Sequence, residues 1–364
     1  MEGKNAKKYV IHLLAAVAVI LLAAMLAVIL VDPFFHYHKP WFGLQPVQSK
    51  KEFQVNGAID HLDYDALLLG SSVTVNINTN AYDEAFGCHT LKACANAADP
   101  CTLCYFIDRA YQHQSLDYVF WGLDCGTLFD EVLEDPTSGQ VLYLRDNNPF
   151  NDIEYLWNID VLLKEVPNMI ALSYLHDYDA GDAYEFTKYN SYNIETVLDF
   201  YQPEGEILPM KDPANAEEMA NVSANVALIE QIVQAHPRTQ FKFHLSLFSI
   251  LWWDIHYRKG DVEQYLAAWE YAVKTLDAYD NVTFYTGVFN EPAYLMNLDL
   301  YCDYAHTDYE TNQLQALSVI EGNRVITKDT VASELEQLRR QVYGFEERLA
   351  ANDGNWEFLY EYVE

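Results

Sequence analysis

Basic residues are scarce in this chain. Twenty-two Lys and Arg stand against 54 Asp and Glu, a net charge of −32 over 364 residues. A field of that sign repels nucleic acid and anionic lipid, which argues against a polyanion-binding role. A glycine-rich phosphate loop, an internal repeat and a low-complexity tract are all missing, so neither P-loop nucleotide chemistry nor a solenoid is expected. Cysteine is limited to Cys88, Cys94, Cys101, Cys104, Cys125 and Cys302. Cys101 and Cys104 form a C-x-x-C without a second pair at zinc spacing, in a segment of helical character. Buried thiols or an incidental disulfide are expected there, with the pairing open. His36 with His38, and Asp254 with His256, each lack a third ligand. No metal and no cofactor is expected.

What is abundant is apolar and aromatic. Hydrophobic residues make up 51% of the chain, and the 27 tyrosines suit surfaces that stack on sugars, or simply aromatic packing. Lys4, Lys7 and Lys8 precede an apolar run over 9–31, about 23 residues or roughly 34 Å as a helix, enough to span a membrane. A signal-peptide core is shorter, about 7–15 residues, and no small-x-small cleavage site follows. The expectation is a signal anchor in the cell membrane, with a cytoplasmic tail at 1–8 and the body outside by the positive-inside rule. A juxtamembrane linker is expected at 32–52, where the aromatics of Asp32-Pro33-Phe34-Phe35-His36-Tyr37-His38-Lys39-Pro40-Trp41 suit the membrane interface.

An α/β rhythm begins near Phe53. The unbroken apolar run 66–69 reads as a strand buried on both faces. Helical spacing follows at 80–86, a strand at 90–95, a helix at 101–113 with Leu103, Phe106, Ile107 and Ala110 on one side, and a strand at 118–124. Alternation of this kind predicts a three-layer α/β/α domain with a mostly parallel sheet, over 53–313. An Asp-, Asn- and Tyr-rich insertion at about 135–220 breaks the rhythm, with helical pieces at 153–163 and 167–174. A helix at 217–235, a strand at 239–247, a loop from Phe248 through Asp254, a helix at 262–276 and a strand at 282–286 resume it. A charged helical tail occupies 314–364.

Two short motifs carry chemistry. Strand 66–69 stops at Gly70-Ser71-Ser72, and a tight small-residue turn after a strand is where α/β enzymes present a serine hydroxyl. An ordinary β-turn uses the same residues. Near the end of the α/β part stands Asp303-x-x-His306, a spacing that lets an aspartate hold one imidazole nitrogen and leave the other free for a serine proton.

With these residues in this order, the chain resembles the SGNH/GDSL-type hydrolases. It looks most like their membrane-anchored relatives allied to alginate O-acetylation proteins and the lipoteichoic acid D-alanylation protein. The resemblance spans roughly 30–330, and also rests on the post-membrane Asp32–Pro40 stretch and on Trp121-Gly122-Leu123-Asp124. It implies Ser72 as nucleophile, His306 as general base and Asp303 as its orienter. Oxyanion donors in that family are the nucleophile N–H, a glycine and an asparagine. Here the second block aligns with Asn96-Ala97-Ala98, without glycine, and the third with Gly122-Leu123-Asp124, where aspartate replaces asparagine. Ser72, Ala97, Asn96 and Asp124 are therefore the oxyanion candidates. Asn76, Asn78, Trp121, Phe248 and Ser249 are the substrate-binding candidates.

The implied activity is that of an extracytoplasmic serine esterase or O-acyltransferase on a cell-surface polysaccharide or acylated wall polymer. The alternative is a catalytically weak or inactive module of the same fold that binds a glycan or a membrane-bound O-acyltransferase. Expected partners are the bilayer, through 9–31, and that glycan or enzyme, with no nucleic acid.

Overall fold

The computed structural model describes residues 2–138, 140–145, 148–175, 178–201, 206–352 and 355–363. The chain divides into two compact units, Met1–Leu62 with Thr137–Ala180, and Asp63–Pro136 with Gly181–Glu364. The stretch expected as one insertion at 135–220 is thus shared between them. Asp146 and Asn147 of that insertion lie outside the described residues, as do 139, 176–177 and 202–205.

Among the described residues, the second unit is built on six strands: β1 (Ala66–Gly70), β2 (Thr90–Cys94), β3 (Tyr118–Leu123), β4 (Gln240–Leu245), β5 (Val282–Tyr285) and β6 (Val325–Ile326). Their order is β2-β1-β3-β4-β5-β6, with the first five parallel and β6 antiparallel. Strand β1 is buried along its whole length, as a central parallel strand covered on both faces must be. Helices flank the sheet, which gives the expected α/β/α class with a mostly parallel sheet. Pro100–Tyr111, Met219–Ala235, Val262–Leu276 and Val331–Ala351 pack in succession, and Asn80–Phe86 packs with Tyr309–Glu321. Pro100–Tyr111 begins on a proline, and the Asp99 side chain accepts from Thr102 N at 2.9 Å, satisfying one orphan donor of the first turn.

Two segments differ from expectation. The stretch after β4, expected as a loop, is the helix Ile250–Arg258, because Ser249 caps it by accepting from Trp252 N. The tail contains β6, whose two residues are too few to show a strand period. All six cysteines are free thiols, five of them buried.

Helix Val331–Ala351 brings Glu346 against the fully buried Asp254, which holds Arg258 Nε at 2.8 Å. Burial first, and then the hydrogen bond to Asp254 and its charge, push the Glu346 carboxyl far up, and Arg258 only partly offsets this. A carboxyl raised in the fold contributes stability at low pH that is lost as pH climbs above the ordinary carboxylate range. Each tenfold change in proton affinity is worth about 1.4 kcal/mol. Glu346→Gln keeps the size and removes the titration. Its melting temperature is expected to exceed the parent's by a few degrees in mildly alkaline buffer, with the gap closing in acid. A constant difference at all pH values contradicts this.

In the first unit the helix Glu2–Val31 includes an apolar segment, Ala6–Val31, long and apolar enough to cross a membrane. Beyond it the chain folds back on itself. The Asp32 carboxylate accepts from the backbone N–H of His36, Tyr37 and His38 at 3.0, 2.7 and 3.0 Å and from Tyr155 Oη at 2.8 Å. Phe34 and Phe35 are consequently buried, whereas Trp41 and Phe42 stay exposed. His36 lies 3.2 Å from Asp152, and His38 bonds the Ile29 carbonyl. A helix Lys51–His61 follows in the expected linker. The helix expected at 153–163 is divided: Asn158 Oδ1 accepts from Asp160 N and Val161 N, and the chain restarts as a wide turn running into helix Val166–Leu175.

Candidate active site

The parallel register sets the ends of the central strands level. Gly70 pairs with Cys94, Leu69 with Trp121 and Leu123 with Leu245. Gly70 leaves β1 at φ 153°, and a Cβ there would lie 2.6 Å from Thr74 Cβ. At Gly122 a Cβ would collide with Thr74 Oγ1 and lie 3.1 Å from His244 Nε2. A side chain at either position would therefore have to displace Thr74, which nests over the two strands and holds the turn carrying Ser72. Gly122→Ala is expected to cost about 1–3 kcal/mol by overpacking. A second substitution, Thr74→Ala, should restore part of that loss in denaturant titrations, and independent, additive effects contradict the nesting.

Asp303 and His306 sit in a tight loop closed by a bridge between Tyr301 and Thr307 and by Cys302 N donating to His306 O at 3.0 Å. Asp303 Oδ1 accepts from Ala305 N and His306 N at 2.7 and 2.9 Å, so the aspartate braces its own loop. Its Oδ2 lies 2.8 Å from His306 Nδ1, and His306 Nε2 lies 2.8 Å from Ser72 Oγ. Burial alone would raise the Asp303 carboxyl, but hydrogen bonds from the imidazole and the two backbone N–H groups hold it below its ordinary value. An ionised carboxylate only accepts, so Nδ1 carries a proton, and in the neutral imidazole Nε2 is then the acceptor facing the serine hydroxyl. The structure thus brings Ser72 to the Asp303–His306 pair, more than two hundred positions away in sequence.

The other candidates have different surroundings. Asn96 and Ala97 are exposed just beyond β2, and Ala97 has a left-handed φ of 44°, uncommon for a residue with a side chain. Asp124 is buried one residue past β3, and its Oδ1 has no hydrogen-bond partner among the described residues. Burial raises its carboxyl above the ordinary value, and Ser246, Ser71 and the His306 charge only partly offset this.

Trp121 is not available to a ligand: it is 1% exposed and stacks on Phe243 within the sheet core. Asn76 is likewise buried, its amide bridging Ser72 O and Phe186 N at 3.3 Å each. Asn78 bonds Asp182 and Tyr309. Phe248 is buried in a stack with Trp252. Ser249 donates to Tyr304 O at 2.6 Å, steadying the loop of Asp303 and His306. These polar candidates hold the site's frame because their donors and acceptors are already engaged.

Two residues that pattern reading passed over complete the frame. Lys92, 1% exposed on β2, donates to Val75 O and Ala183 O at 2.8 and 2.9 Å, tying the segment after Ser72 to the chain at 183. A lysine inside an apolar strand was the available signal. Phe186 sets its ring edge-to-face on His306, with centroids 5.4 Å apart.

No family model and no curated protein matches the chain. Among solved structures, a chain from Streptococcus pneumonia provisionally named a platelet activating factor is similar over 75% of this chain and 90% of its own, with a TM-score of 0.38 and 13% identity. That likeness is too distant to bear on function, and the site's geometry stands by itself.

Proposed function

We propose that this chain is a membrane-anchored, extracytoplasmic serine esterase or O-acyltransferase of the SGNH type, acting on an acylated cell-surface glycan. The observation that carries the reading is the continuous line Ser72–His306–Asp303, with 2.8 Å at each step. In this scheme Ser72 Oγ attacks the acyl carbonyl as its proton passes to His306 Nε2, and Asp303 stabilises the resulting imidazolium. The oxyanion is held by the Ser72 N–H, the backbone at Ala97 and Asp124. His306 then returns the proton to the departing sugar oxygen. Water, or the hydroxyl of a second sugar, resolves the acyl-enzyme with His306 again taking a proton.

The lysines ahead of the apolar helix place the N-terminus in the cytoplasm in this reading, with the acidic body outside. A membrane-bound O-acyltransferase is the partner that would deliver or receive the acyl group. The binding-only alternative draws on one observation, the carboxyl at Asp124 where an amide would donate. Full chain in detergent micelles is expected to hydrolyse a short aryl acetate, and to release acetate from an O-acetylated polysaccharide or transfer it to one. Absence of turnover on both supports the binding module instead.

A further inference from the structure

The first unit carries an apolar surface that its own packing does not use. Helix Val166–Leu175 has no charged residue. Val166, Met169 and Ser173 are buried. Leu163 on the preceding turn, then Pro167, Ala171 and Tyr174, recur every three or four residues on the outward side. Leu163 is 63% exposed and Leu175 72%, and Trp157 and Ile159 extend the surface. Single exposed leucines are ordinary, but a row of apolar side chains on an uncharged helix marks a surface that meets something apolar.

What this surface adjoins identifies the occupant. Met25, Val28, Ile29 and Val31, the last turns of the apolar helix, share one hydrophobic cluster with Tyr155, Leu156, Val161, Val166 and Ile170. Met25 to Val31 covers about 9 Å of helix axis. That is roughly the last third of a hydrocarbon core about 30 Å thick. A helix packed along that stretch holds its outer side at lipid depth. Its flanks have the mixed character of an interfacial segment: Trp157 and Tyr174 are aromatic, and Asp160 pairs with Lys164 at 2.7 Å on the exposed turn.

We propose that residues 157–175 lie in the membrane leaflet at the C-terminal end of the span, as an in-plane lipid contact beside it. The proposal takes 9–31 as inserted and is independent of the esterase reading. A second copy of the chain or another membrane protein would also cover an apolar helix, but continuity with the span favours lipid.

The test uses unmodified full chain in phosphatidylcholine vesicles doped with a phosphatidylcholine whose acyl chain bears a diazirine. After illumination, lipid adducts are expected on peptides covering 157–175 as well as on 9–31. Adducts on 9–31 with none on 157–175 overturn the proposal, whether or not cross-linking shows a second copy there. Adducts on neither overturn the inserted span as well, and neither result touches Ser72. As a second measurement, Leu163→Cys and Leu175→Cys are labelled with NBD on a Cys302→Ser background, the other five thiols being buried. Their emission is expected to be blue-shifted and quenched severalfold more by doxyl-lipid than a label at Leu317→Cys. Equal, water-like spectra at all three positions contradict the proposal.

Discussion

Replacing Ser72 with alanine is expected to lower kcat on a short acyl ester by roughly 10⁴–10⁶ and to leave KM nearly unchanged. The size follows from the arrangement. Ser72 Oγ faces His306 Nε2, and the carboxylate that holds the other ring nitrogen is itself tied to two backbone N–H groups. Removing the hydroxyl leaves that machinery aimed at nothing. Removing His306 strands an alcohol that is a weak nucleophile at neutral pH. The two losses are therefore not additive: the Ser72→Ala/His306→Ala double variant should be no slower than either single one, within a few-fold. Steady-state rates of the three variants in the same detergent check this. Turnover by Ser72→Ala close to the parent's removes the nucleophile from the account.

The second large effect belongs to Asp124. It lies at the level of the Ser71-Ser72 turn, because Leu69 pairs with Trp121 and β3 ends one residue before it. Its neutral carboxyl can donate to a developing oxyanion, and its ionised form repels one. Burial, the main influence, raises the group, so the donor form persists above the ordinary carboxylate range and fades as pH rises further. Losing one oxyanion donor costs about 10²–10³ in rate. Asp124→Ala is expected to lose that much throughout the pH range. Asp124→Asn keeps an N–H donor that does not titrate, and should overtake the parent on the alkaline side. The stability sign agrees: a raised carboxyl favours the fold at low pH and loses that contribution as pH climbs, so Asp124→Asn should gain stability in alkaline buffer. Rate–pH profiles and melts of the two variants read both effects. An alanine variant as active as the parent means that Asp124 does not face the reacting carbonyl.

Much of this was legible in the residues. The apolar run at 66–69 ending in Gly70 becomes β1, and helices Asn80–Phe86 and Val262–Leu276 occupy the expected positions because their apolar spacing and local propensity agree. Ser72, Asp303 and His306 were visible as motifs, though their meeting depends on the register of strands far apart in sequence. Other features have no local signature. Phe34 and Phe35 are buried because the single carboxylate of Asp32 gathers three successive N–H groups, which no periodicity encodes. Asn76 and Asn78 look like ligand-binding amides in sequence, yet tertiary neighbours at 182, 186 and 309 consume them. Trp121, three residues before the candidate Asp124, points into the core because strand neighbours alternate faces and this sheet is covered on both.

In the proposed reaction Ser72 carries the acyl group. Acid quenching of full chain during turnover of a short acyl ester, followed by peptide mass mapping, tests it most directly. The expected result is an acyl adduct on the peptide containing Ser72, formed faster than it decays and absent in His306→Ala. Turnover with no adduct on Ser72, or an adduct that forms equally without His306, would contradict the account.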